Sequence, residues 1–532
     1  MAHAQLPIAS LPLWQTLNDV TFNNTRIAAI AEKGSGLVAT NSESNSQTDG
    51  RGKPLISVPH GLVLHAEAVE EYAKQDRNFR LLLDAAGHQT TRGDILLFLL
   101  VQLVLGLRQP GEDLASLPTP WTEYVRFLPA DVPLPTLWTD TERLLLQGTS
   151  LESAVGAKLI ALEAEFDQLR EQSSDIPFWQ AAFWERASGP ELRHWFLVDA
   201  WYRSRCLDLP RYGPSMVPCI DMVNHSDKPN AYYEEAPTVP VTGDDIGVVL
   251  LVRPEQTVAA SEEITISYSG SKHDEALGAG DNSSGMKPAS EMLFSYGFID
   301  PQSTRHSLVL PFRPFPDDPL AKAKLHVFGA PGPRLEIERL NVDDEDDSED
   351  DNDAEANRKA LGRVLWTCPF VYLMCVNEED GIDFRLRQET DGSTQLRMFW
   401  QDEDITDMAR DFESFASKHE LAPIFRLRVV TVLQEVIESQ LERMQAVGAE
   451  EDDESDNEDG NDVEDKPKDG QPHDDTDMAD GADDADDTSN HDDGTRGAVV
   501  KQAALLRDIE SRILSAALEA LEIEVSLKTT YA

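Results

Sequence analysis

The chain has 532 residues, 40% of them hydrophobic, four cysteines and a formal net charge of −51. That length exceeds one comfortable core and favours two domains, and such acidity argues against a nucleic-acid partner, whose phosphates it would repel. Ten acidic residues between 343 and 355, and twenty-two against two lysines between 450 and 493, hold thirty of the fifty-one negative charges, so the remainder is acidic without being extreme.

Cys206, Cys219, Cys368 and Cys375 form no C-x-x-C pair, a pattern of reduced thiols in an intracellular protein. The N-terminus lacks the basic, apolar and small-residue succession of a signal peptide. The longest apolar run, residues 95–107, is too short to span a bilayer and reads as a buried helix. Nothing in the sequence points to a membrane role.

In chain order, Trp14 and its neighbouring leucines suggest a short lead-in helix. The apolar stretches 27–40 and 54–59 read as strands joined by a polar loop at 41–53. Within the first lies Lys33-Gly34-Ser35-Gly36, whose glycines let backbone approach a neighbour closely or adopt positive φ, although G-x-G alone is more often an ordinary turn. From 65 to 172 the spacing turns helical, through Val69, Tyr72, Phe79 and Leu83, then 95–107, then 144–169. Trp121, Tyr124, Leu128 and Pro129 between these helices read as core packing. A further helix over 192–207 carries Arg203-Ser204-Arg205.

The most informative run is Pro214-Ser215-Met216-Val217-Pro218-Cys219-Ile220-Asp221-Met222-Val223-Asn224-His225-Ser226. Its prolines bias it toward extended or turn structure. By itself the Asp, Asn and His cluster is a polar turn bonding its own backbone. Residues 247–253 and 264–268 read as buried strands, the second with Ile264, Ile266 and Tyr268 at alternating positions. Residues 270–289 are rich in Gly, Ser and Asp and longer than an ordinary connection. Then come Tyr296-Gly297-Phe298-Ile299 and a last strand at 305–311. Beyond 321 the spacing predicts helices over 358–376, 425–444 and 499–525. Two acidic stretches, 342–357 and 449–495, interrupt them; with almost no aliphatic residues the second is expected to be disordered, its flanking helices closing across it.

Taken in order, the P-x-x-D-M-x-N-H-S run, the E-E-I-x-I-x-Y strand (Glu262–Tyr268) and the Y-G-F-I run resemble the SET-domain methyltransferases. The branch they resemble is that of Rubisco large-subunit lysine methyltransferase and the yeast ribosomal-protein lysine methyltransferases. The W-x-x-Y-x-x-x-L-P segment from Trp121 is similar to one in that branch's helical insertion. The resemblance implies an α+β fold. It would comprise a SET domain over 20–311 with a threaded C-terminal segment and a helical insertion at about 65–190, and a mostly α-helical substrate-binding domain over 312–532. It implies an S-adenosyl-L-methionine-dependent protein-lysine N-methyltransferase that needs no metal.

Carried over by position, Tyr296 becomes the catalytic tyrosine and Tyr268 a second wall of the channel. The loop Lys33, Gly34, Ser35 and Gly36, together with Arg205, Asp221, Asn224, His225, Tyr296, Gly297 and Phe298, becomes the cofactor site. Arg205 suits a carboxylate because its planar fork grips at two points, and Arg203 competes for the part. His225 is a structural or cofactor contact rather than a general base. Asp221 either holds its own loop or faces the substrate channel.

The acidic stretches are either solvated tails or attractors of a basic substrate, such as a ribosomal protein or a histone-like tail. A monomer in the nucleus or cytoplasm is expected. Two other readings stay open: a vestigial enzyme acting as an acidic escort for basic proteins, and a protein-histidine methyltransferase.

Overall fold

A computed structural model of the chain describes residues 5–31, 33–44, 53–107, 117–186, 189–236, 246–254, 256–268, 287–300, 306–339, 364–388, 394–455 and 495–530. Both helices and sheets are present, as the α+β expectation requires, and the buried apolar side chains fall into two main cores.

The first core is built from two four-stranded sheets and the helices that cover them. One sheet has the order Thr21–Phe22, Ile56–Pro59, Ile246–Val252, Ala231–Glu235; the other runs Thr25–Ile30, Gly34–Ala39, Glu263–Ile266, Asn224–His225. Stretch 27–40, expected as one strand, is a tight hairpin. Its register pairs Ile30 with Gly34 and Thr25 with Ala39, and Gly34 takes φ 78°, the left-handed conformation that glycine tolerates without a Cβ clash.

Between these strands comes the helical insertion. Asp76 caps helix Arg77–Ala86 by accepting from the N–H groups of Asn78 and Phe79, and Thr90 caps Thr91–Gly106 through the N–H of Gly93. Helix Thr91–Gly106 is apolar on all sides because it runs through the centre: Ile95 to Val104 are all buried. Each such fully buried aliphatic side chain contributes about 1.5–3 kcal/mol. Among the described residues no helix is long and apolar enough to cross a membrane.

The second core takes in Trp138, Leu146, Leu151 and Val155 from the insertion, Leu293 and Ile299 around the Y-G-F-I run, and Leu308, Leu310 and Phe312. By packing, the strand His306–Pro311 therefore belongs with the C-terminal half of the chain. It pairs with Arg334–Arg339, which pairs in turn with Val364–Thr367. A second antiparallel sheet, Ile382–Gln388, Thr394–Trp400 and Glu403–Asp404, lies further on. The helix expected over 358–376 is in the described part a strand, Val364–Thr367, and a short helix, Pro369–Met374, started by Pro369 at its first position.

The last two helices, Ala422–Ser455 and Gly497–Thr530, pack antiparallel. Arg426 pairs with Glu524 at 2.8 Å, and Arg507 donates to the carbonyl of Met444 at 2.7 Å. The first runs past residue 449 to Ser455, carried into the acidic stretch by the good helix formers Ala449, Glu450 and Glu451. The acidic stretch 342–357, residues 456–494 of the second, and residues 270–286 lie outside the described residues. The C-terminal helix is tied to the insertion: Arg496 grips Glu142 at 2.7 Å, and Glu510 accepts from the N–H of Ser150 at 2.9 Å.

Candidate functional site

Strand pairing assembles the motifs. Glu263–Ile266 runs antiparallel to the loop-bearing strand, with Glu263 opposite Val38 and Ile264 opposite Leu37. On its other edge it runs parallel to Asn224–His225, with Thr265 opposite Asn224 and Ile266 opposite His225. One strand thereby sets the Lys33–Gly36 hairpin and the Asn224-His225 pair side by side.

Glu263 joins them. Its Oε1 accepts from Asn224 Nδ2 at 2.8 Å, and its Oε2 pairs with Lys33 Nζ at 2.9 Å. With its amide nitrogen committed, Asn224 presents Oδ1 as an acceptor. Gly36 is buried against the same amide: a Cβ there would lie 2.6 Å from Asn224 Nδ2 and 2.6 Å from Ile30 Cγ1. Gly34 and Ser35 form the open end of that strand.

His225 Nδ1 accepts from the N–H of Tyr268 at 3.1 Å, which leaves Nε2 to donate to Asp227 at 3.1 Å. Its ring lies 5.2 Å from Tyr268 and 6.0 Å from Phe298, and the rings of Tyr268 and Tyr296 are 4.7 Å apart, centroid to centroid. Tyr268 donates its hydroxyl to the carbonyl of Val223 at 2.9 Å; Tyr296 reaches only the carbonyl of Tyr268, at 3.3 Å, among the described residues. Tyr296 ends helix Ala289–Tyr296, and Gly297 caps it at φ 83°, where a Cβ would meet Pro133 at 2.8 Å. Burial pushes the Tyr296 phenol up to about 12 and that of Tyr268 higher still, so both are neutral hydroxyls near pH 7.

A cleft of about 330 Å³ opens between the two tyrosines and the end of helix Leu192–Arg205, with Arg205, Cys206, Asp208, Asp221 and Lys287 also on its walls. Arg205 donates to the carbonyl of Asp221 at 3.0 Å and stands 3.7 Å from its carboxylate. Asp221 is buried, and that burial raises its carboxyl above the usual range. Tyr124 supports it from below: its hydroxyl accepts from the N–H of Cys219 at 2.7 Å and donates to Asp221 Oδ1 at 2.5 Å. Cys219 is held at φ 71°, a strained conformation for a residue with a side chain. Arg203 lines the same cleft, but its guanidinium is bonded to Asp199, Phe294 and Thr136, so of the two arginines Arg205 is the one with a donor to spare.

The donor set suits S-adenosyl-L-methionine. Among the described residues Arg205 Nε is buried without a partner, a donor for a carboxylate, and Asn224 Oδ1 is an acceptor for an ammonium. The bare backbone at Gly36 lets the Asn224 amide close on the hairpin, where a Cβ would collide with it and displace that acceptor. Cys206, Asp208 and Lys287 on the cleft walls lie outside the sequence motifs, and two residues within those motifs take parts that the motifs do not announce. Glu263 stands in the E-E-I strand, but only the parallel pairing shows which groups it joins. Tyr124, taken for core packing, is buried as expected and also reaches Asp221 across 97 positions, for which no local signal exists.

No protein-family model matches the chain. "SET domain-containing protein 8" of Schizosaccharomyces pombe is 26% identical over 420 residues, spanning 78% of this chain and 82% of the relative. Among solved structures, Rubisco LSMT bound to AdoMet superposes with a TM-score of 0.58 at 16% identity, covering 99% of this chain and 94% of that one. The SET domain of LSMT bound to lysine and AdoHcy gives 0.58 and 16%, covering 98% and 92%. The chain is thus similar over most of its length to a SET domain-containing protein and shares the fold of the Rubisco LSMT structures.

Proposed function

We propose that the protein is an S-adenosyl-L-methionine-dependent protein-lysine N-methyltransferase acting on a basic non-histone protein such as a ribosomal protein. The observation that carries this is the pair of neutral, half-buried tyrosines, 4.7 Å apart, walling a cleft that Arg205 also lines, with Tyr268 directly following the strand that pairs with Asn224-His225. When bound, the cofactor supplies an electrophilic methyl group on a sulfonium. Lys33, Gly34, Ser35 and Gly36, with Asn224, His225, Arg205 and Phe298, would hold it.

The chain's own task is to deliver a neutral amine in line. A lysine ammonium has a pKa near ~10.4 in water and must shed a proton and its hydration before it can attack. An aromatic-walled cleft disfavours the charged form. Since the Tyr268 hydroxyl is committed to Val223, the less constrained Tyr296 hydroxyl orients the nitrogen lone pair, acting as a neutral hydrogen-bonding partner and not as a phenolate base. Positioning of this kind supplies much of the rate in an in-line displacement. The net negative charge of the chain supports a basic substrate, drawn in by a salt-sensitive attraction.

The test is incubation of the full chain with methyl-labelled cofactor and a cell extract, with mass spectrometry of the labelled proteins. Methyl-lysine on a basic protein is the expected product. Methyl-histidine would replace the lysine assignment, and no labelled protein together with no cofactor binding by calorimetry would overturn the enzyme reading.

A further inference from the structure

Arg203 lines the cleft, yet its guanidinium is taken up by the protein itself. Nε donates to Asp199 Oδ2 at 2.9 Å, Nη1 to the carbonyl of Phe294 at 2.6 Å and Nη2 to Thr136 Oγ1 at 2.6 Å. The guanidinium also lies 4.7 Å from the centroid of the Phe294 ring.

Phe294 stands two residues before Tyr296, in the last turn of helix Ala289–Tyr296, where carbonyls lose their intrahelical partners. The capping N–H of Gly297 satisfies the carbonyl of Leu293, and Arg203 satisfies that of Phe294. A cation at that end also complements the helix dipole. At its other side Arg203 is held rigidly. Asp199 is fully buried and is gripped by Arg92 at 2.5 Å and Lys158 at 3.0 Å as well as by Arg203, so three helices, Thr91–Gly106, Leu151–Ser174 and Leu192–Arg205, converge on one carboxylate. Among the described residues Tyr296 has one polar side-chain contact, the long bond to the carbonyl of Tyr268. Its placement therefore comes from its helix, and the polar clamp on the last turn of that helix is Arg203.

We propose that Arg203 is the positioning residue for Tyr296: it transmits the buried Asp199 hub to the helix end that presents the phenol to the cleft. This rests on the methyl-transfer reading of the cleft. A displacement of the phenol by about 1 Å is enough to cost an in-line reaction on the order of 100-fold.

The test uses the full chain with Arg203→Met, Arg203→Lys and Thr136→Val, and two readouts: steady-state methyl transfer, and amide hydrogen exchange over residues 289–298. For Arg203→Met, kcat should fall about 10- to 100-fold, while the calorimetric Kd for S-adenosylhomocysteine stays within about threefold and exchange accelerates over 289–298 but not over strand Glu263–Ile266. Arg203→Lys keeps the pairing with Asp199 but not the fork, and should recover only part of kcat; Thr136→Val, which removes one of three anchors, should show a smaller loss with the same local exchange. If Arg203→Met does not fold, the other two variants carry the test. Unchanged kcat, unchanged exchange over 289–298, or a loss confined to melting temperature would overturn the proposal. If the wild type transfers no methyl group, the functional reading falls by itself, and the exchange pattern alone decides whether Arg203 clamps the helix.

Discussion

Adding one methyl group at Gly36 is the sharpest probe of the cofactor end. An alanine Cβ would lie 2.6 Å from Asn224 Nδ2, 2.6 Å from Ile30 Cγ1 and 3.2 Å from Glu263 Oε1, whereas ordinary contact begins at 3.4 Å. The Asn224 amide must therefore retreat by about 0.8 Å, which can stretch its 2.8 Å bond to Glu263 to about 3.6 Å, beyond hydrogen-bonding distance. A hydrogen bond to a charged group contributes about 1.5–3 kcal/mol. At ~1.4 kcal/mol per decade, losing Asn224 as a placed acceptor should weaken cofactor affinity about ten- to hundredfold. The strain on Ile30 should lower stability by about 1–3 kcal/mol. Titration calorimetry with S-adenosylhomocysteine reads the first effect and thermal denaturation the second. Gly61→Ala, where an added Cβ meets nothing within 4 Å, is the control. A folded Gly36→Ala protein that binds within twofold of wild type would refute the reasoning.

Tyr296→Phe should lower kcat at least about tenfold with little change in cofactor Kd, while Asn224→Ala should raise the Kd and spare less of the binding than of the chemistry; kinetics with parallel calorimetry would expose the reverse assignment. The bond from Arg496 holds the Glu142 carboxyl down at about 2, so this pair stabilises the fold above the ordinary carboxylate pKa and loses that contribution as pH falls from about 4.5 toward 2. Melting temperatures across that range should decline less steeply for Arg496→Met than for wild type, and parallel slopes would contradict the linkage. Burial raises Glu510 to about 6, so the folded state binds the extra proton and stability falls as pH rises from about 4.5 through 6. Glu510→Gln should flatten that decline and melt higher than wild type at pH 7.5; a lower melting temperature there would mean that the carboxylate's bonds to Ser150 outweigh its desolvation.

Much of the site was legible because it sits on short strands whose alternation is local: Ile264 and Ile266 turn inward, and Pro214 lies in strand Gly213–Met216, from which a turn and the short 3-10 helix Ile220–Met222 lead to Asn224-His225. The illegible part depends on pairings between distant segments. Glu263 becomes a bridge only because its strand accepts a parallel partner nearly forty residues earlier. Arg203 and Arg205, two positions apart at the end of a helix, reach different partners, and residue type alone cannot say which carries the clamp and which keeps a spare donor. The strands after 312 escaped the helical pattern for a related reason. In Ile382–Gln388 only Ile382 is buried, so burial imposes little pattern on the rest of the strand, and Val364–Thr367 directly precedes a proline-started helix.

The two tyrosines of the cleft hang from different cores: Tyr268 packs against the first, while the helix of Tyr296 inserts Leu293 into the second. A ligand lodged against both rings is therefore a staple across a seam, and it binds only when both halves of the molecule are folded and docked. By mass action such a ligand stabilises the docked state by an amount set by its concentration over its Kd. Saturating cofactor analogue should draw the unfolding of the two cores into a single, steeper calorimetric transition, making occupancy of the cleft a measure of how firmly the molecule is held together.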